Sequence, residues 1–153
     1  MKKHFILSLL LSVFLLGCSG MRTVKGNSTI PSGTRVSYER MMNPAFAEDY
    51  IGADVITEVQ FYAPNPSNSW QSKVPKGHIV FQVIPLNGEA ENSPFGGSKL
   101  GDYVYIPKSV GDIVFDLKQG DKIELRGGTR VRKAIIIGGV AIIEFVATSM
   151  RKL

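Results

Sequence analysis

One cysteine, one tryptophan and two histidines in 153 residues leave little material for the common catalytic chemistries. A single cysteine cannot pair within its own chain, so the fold must rest on packing. A zinc site needs three or four nitrogen or sulfur ligands, and His78 is the only histidine beyond residue 4. No Gly-x-Ser-x-Gly motif marks a nucleophilic serine. Gly96-Gly97 and Gly127-Gly128 lack the following helix that would cradle a phosphate. Asp112, Asp116 and Asp121 do not follow the Asp-x-Asp-x-Asp-Gly plan of a calcium loop, and no terminal glutamate completes one. Glu89 and Glu91 stand in a Gly/Asn/Ser-rich stretch that holds no fixed separation between them. These gaps argue against an enzyme, a metal and a cofactor. His78 is the remaining general-base candidate, and without a partner it reads better as a rim histidine bonded to backbone or water.

What the chain does have is an N-terminal pattern. Lys2 and Lys3 precede an apolar run from Phe5 to Leu16, interrupted by Ser8 and Ser12, and Gly17 stands before Cys18. The run is shorter than the ~20 residues that a membrane span requires, so it reads as a secretory signal. Leu15-Leu16-Gly17-Cys18 resembles the lipobox of bacterial lipoproteins. That resemblance implies cleavage after residue 17, a cysteine carrying three acyl chains such as palmitate, and a membrane anchor of effectively permanent strength. In the enterobacterial pattern an aspartate after the cysteine retains the protein at the inner membrane. Ser19 stands there instead, which implies the periplasmic face of the outer membrane. Loss of residues 1–17 also removes two lysines from a net charge of +5. The remaining positive charge suits an anionic lipid or glycan surface.

Residues 18–34 are rich in Gly, Ser, Asn and Pro and read as the lipidated N-terminus with a flexible tether. Residues 35–153 are expected to form one domain. Arg35–Glu39 reads as a short strand or extended arm. Asn43-Pro44 predicts a helix start, with Asn as N-cap and Pro at the first helical position, ending at Gly52. Phe46 or Tyr50 would then plug one end of the fold. From Ala53 to Phe61, alternate residues Ala53, Val55, Thr57, Val59 and Phe61 predict a half-buried strand. His78–Pro85 predicts a second strand, with Ile79, Phe81 and Val83 on one side. Residues 87–101 read as a mobile excursion. Tyr103–Ile106 is a third strand stopped by Pro107, Ile113–Leu117 is strand or helical turn, and Lys122–Arg126 alternates as a fourth. Residues 134–147 are the most hydrophobic part and read as a tight hairpin or one strand with a glycine bulge.

Five or six glycine-coiled strands in this order predict a mainly β fold, a small OB-like β-barrel with one short helix. Tyr50-Ile-Gly52 before a long first strand, and Leu117-Lys-Gln-Gly-Asp-Lys-Ile-Glu-Leu125 opening the fourth, are similar to phrases of OB-like barrels. The lipobox, the Tyr-x-Gly start and Val83-Ile84-Pro85-Leu86 also resemble starvation-inducible outer-membrane lipoproteins of the Slp type. The tryptophan-rich and Gly-Phe-Leu-Asp-Pro-like segments of that family are absent here.

Arg126, Arg130, Arg132 and Lys133 crowd around Gly127-Gly128, with Arg130 and Arg132 expected on one side of a loop. Three readings compete: nucleic-acid binding, with Tyr62, Trp70, Tyr103 and Tyr105 as stacking surfaces; recognition of an anionic glycan or lipid; and a solvated loop that keeps a hairpin soluble. The envelope address disfavours the first, and the third is preferred. Trp70, isolated among Ser, Asn and Gln, is the exposed aromatic most suited to an interface. The sequence therefore suggests a non-enzymatic binding or assembly module, tethered by lipid at Cys18 and contacting an envelope protein or an anionic glycan or lipid. Alternatives are a subunit of an oligomeric envelope complex using the 134–147 hairpin, and a glycan- or lipid-processing hydrolase centred on His78.

Overall fold

The computed structural model describes residues 21–64, 74–92, 99–134 and 141–153. Strand β1 is Met21–Thr23, and helix α1 is Tyr38–Met42, followed by a 3-10 turn at Ala47–Tyr50. Strands β2 (Val55–Pro64) and β3 (His78–Pro85) come next, then the two-residue strands β4 (Glu91–Asn92) and β5 (Lys99–Leu100). β6 (Asp102–Pro107) leads through 3-10 turns at Lys108–Val110 and Asp112–Asp116 to the long strands β7 (Lys122–Ala134) and β8 (Ala141–Lys152).

The main sheet runs β1-β7-β2-β3-β6-β8, and β7 also pairs with β8, which closes five strands into a barrel. Every pairing is antiparallel except β6 with β8, where Val104 faces Phe145 and Tyr105 faces Val146. A meander of three strands with the last strand inserted between the third and fourth is the OB-like barrel expected. The alternation that predicted β2 gives its burial: Val55, Thr57, Val59 and Phe61 are all buried and point inward. Phe81, Val83, Val104, Ile106, Ile123, Leu125 and Phe145 complete the interior. Phe61 and Phe81 meet there with ring centroids 6.0 Å apart. Tyr38 and Met41 of α1, with Tyr50, plug one end, and Val114 and Leu117 plug the other. Each large side chain so buried contributes about 1.5–3 kcal/mol relative to exposure. Among the described residues, no helix is long and apolar enough to cross a membrane.

Three local expectations are corrected. The helix lies before Asn43, not after it. Ser37 caps it by accepting from the Arg40 amide, Asn43 is its C-cap, and the Asn43 side chain accepts from the Ala45 amide in the following turn. Tyr50 is the plug, whereas Phe46 is exposed beneath the Arg40 guanidinium, 4.6 Å from its ring centroid.

Residues 126–133 form no turn. β7 runs straight through Gly127-Gly128, with a register shift between Arg126 and Gly127. A Cβ on Gly127 would lie 2.1 Å from the Val146 carbonyl oxygen, and one on Gly128 would lie 2.6 Å from those of Tyr50 and Ala53. These glycines let three backbone segments close on one another, the other use of glycine inside a strand.

From Met21 onward the expected tether is part of the barrel. β7 outgrows β2, which covers it only from Lys122 to Gly127. Ile51 then bridges Thr129, the Val24 amide donates to the Val131 carbonyl at 2.8 Å, and β1 pairs with residues 132–134. Lower down, residues 34–36 bond β2 on both sides of Ile56. The arm satisfies an edge that would otherwise expose unpaired backbone groups. In the 87–101 excursion, β4 and β5 form a two-stranded ribbon, while residues 93–98 lie outside the described residues. β7 and β8 form the expected antiparallel hairpin, and its connection, residues 135–140, lies outside them too.

Candidate functional site

Because β7 is one strand, its basic residues are spaced by the pleat, and Arg126, Arg130, Arg132 and Lys133 each meet a carboxylate. Arg126 reaches Asp54 at the entrance of β2 with two bonds, Nε to Oδ1 at 2.8 Å and Nη2 to Oδ2 at 2.6 Å. Its Nη2 also donates to Ser32 Oγ at 3.0 Å, and Ser32 donates to Asp54. The Arg126 hydrogen bonds, then that from Ser32, hold the Asp54 carboxyl down to about 2. Lys133 pairs with Glu48 of the 3-10 turn.

The centre of the arrangement is Glu144 on β8. It points outward from the barrel, beside Phe145 which points in, and yet it is fully buried. Arg130, directly opposite on β7, donates to Oε2 through Nε at 2.7 Å and Nη2 at 2.6 Å. Arg132 donates to Oε1 at 2.9 Å, and the buried Tyr105 hydroxyl donates to the same oxygen at 2.8 Å. The Arg130 guanidinium also lies 4.6 Å from the Tyr105 ring centroid. Buried Val80 and Gln82 of β3 lie on the same outward side, next to Tyr105 and Tyr103 of β6 by register. A buried charge is tolerated only when paired and hydrogen-bonded, and Glu144 satisfies both conditions. Its chemical effect is to fix two guanidiniums side by side on the outer face of β3, β6, β8 and β7. OB-folds commonly use this strand face for ligands.

The structure thus brings Arg130 and Arg132 to one side, as alternation implied, and sends Arg126 and Lys133 to separate partners. Tyr105 is not a stacking surface, since its ring is buried under Arg130. Trp70 and Cys18 lie outside the described residues. His78 sits at the plugged end away from α1. Its Nδ1 lies 3.2 Å from the Lys76 carbonyl oxygen, beside a cleft of about 230 Å³ lined by Val74, Ile79, Val114 and Phe115. Among the described residues, no group of three or more His, Cys, Asp or Glu side chains is arranged to hold a metal.

Glu144 and Asp54 are the residues that inspection of the sequence missed. Glu144 stands between Ala141-Ile142-Ile143 and Phe145-Val146. A lone acid in such a run is itself the signal, because burial obliges it to find cations. No protein-family model matches the chain, and no curated protein matches it.

Proposed function

We propose that the protein is a lipid-anchored, non-enzymatic envelope module, an OB-like barrel mounted on the periplasmic face of the outer membrane and serving in binding or assembly. The observation that carries this reading is the Lys2-Lys3, apolar and Gly17-Cys18 series, which stands directly ahead of a self-contained barrel that begins at Met21. Confinement to a surface raises the effective concentration of partners, so weak contacts suffice. The face built around Glu144, Arg130 and Arg132 is the contact surface we assign to an anionic glycan, lipid or envelope protein.

The test is metabolic labelling with an alkyne-bearing palmitate, followed by intact mass of the membrane fraction. Label on the wild type and none on Cys18→Ser supports the anchor. An unlipidated chain cleaved elsewhere removes it. Crosslinking in cells from introduced photoreactive residues at Tyr103 and Val146 then identifies what the face meets. Full function in His78→Ala would remove the hydrolase alternative.

A further inference from the structure

On the reading just given, the anchor is residue 18, and the barrel's first paired residue follows three positions later. Three residues of backbone reach at most about 10 Å. We infer that the anchor is a rigid mount rather than a leash: the barrel end formed by β1 and the last residues of β7 lies against the lipid surface. This inference rests on lipidation at Cys18.

The argument is one of chain length. A free segment from residue 18 to residue 34 would span up to about 55 Å and let the barrel turn in any direction. That slack is taken up within the fold. β1 is bonded to Arg132–Ala134, Val24 to Val131, the Gly33 amide to the Asp54 carbonyl at 2.7 Å, and the Val36 amide to that of Ile56 at 2.9 Å. Gly26 packs so closely on Ile51 that a Cβ there would lie 2.5 Å from the Ile51 Cβ. The arm cannot extend without breaking this series. Its first residue stands at the Ala134 end of β7, so the lipid meets the barrel there. Exposed Lys25 and Lys133, the latter paired with Glu48, lie towards that end. Exposed Lys108 and Lys118 lie towards the opposite end, where β6 finishes and β7 begins.

The test uses the protein extracted with its anchor and reconstituted into vesicles containing phosphatidylglycerol. Its lysines are acetylated with a membrane-impermeant reagent and quantified individually by peptide mass spectrometry. The ratio of Lys133 to Lys118 labelling, and of Lys25 to Lys118, is expected to be several-fold lower than in a variant with a long Gly-Ser insertion between Gly20 and Met21. Equal ratios in the two proteins overturn the mount. Intact mass of the same sample reports the lipid on Cys18. Its absence overturns the proposed function and the mount together, whereas lipid with equal ratios overturns the mount alone.

Discussion

Two of the arginine–carboxylate sites on strand β7, that of Asp54 and that of Glu144, differ in water. Arg126 and Asp54 keep 45% and 38% of their side-chain surface exposed, whereas Arg130, Arg132 and Glu144 keep 20%, 11% and 0%. The bond lengths are alike. Exposed partners fall back on hydration when separated, so a bidentate pair of that kind contributes little to stability. Glu144 has no such recourse, and the guanidiniums arranged around it have little. The comparison separates two uses of the same chemistry: one pair positions a chain segment, and the other makes an outer strand face depend on a single acid.

Replacing that acid is the most severe way to break the comparison. Glu144→Ala strands two cations and a hydroxyl and is expected to cost about 3–5 kcal/mol in chemical denaturation. Glu144→Gln, which keeps the volume and one acceptor, should cost less. Tyr105→Phe removes one charge-assisted bond while leaving both arginines in place, with an expected loss of about 1–2 kcal/mol. At the exposed site, Asp54→Asn should change the denaturation midpoint little near neutrality. What change there is has a defined pH window. The Asp54 carboxyl is lowered from 3.8 to about 2 on folding, so its contribution is present above 3.8 and is lost as pH falls towards 2. The wild type and Asp54→Asn should therefore converge in urea titrations across that interval. The smallest effect is that of salt. Raising ionic strength from ~0.1 to ~1 M shortens the screening length from about 10 to about 3 Å. It should erase the remaining difference for Asp54→Asn while leaving that for Glu144→Ala nearly intact.

The same contrast explains what could be read in the sequence. β2 and β3 were legible to within three residues because their side chains alternate, and burial follows the pleat. The barrel came with the resemblance to OB-like phrases at residues 50–52 and 117–125. Gly127-Gly128 misled because glycine signals a turn and a close backbone approach equally well, and only the positions of Val146 and Ala53 decide between them. Residues 21–34 misled for a related reason. Their composition offers little to bury, but they are held by main-chain bonds, which composition does not register. At the site, the cations were visible as a cluster, whereas their meaning lay with Asp54, seventy-two positions before Arg126, and with Glu144 across a hairpin. The helix was displaced because Asn43 serves a C-cap and an Asx turn at once, and either role mimics an N-cap in sequence.

The pairing of β6 with β8 has a further consequence, for the order of events in folding. Two residue pairs make that parallel seam, and one side of it comes from the last strand of the described chain. A chain emerging N-terminus first can assemble β2, β3 and β6 as a meander of neighbours. It has no cylinder until residues 141–152 arrive. Until then it is an open sheet, and the final strand acts as the latch that closes it.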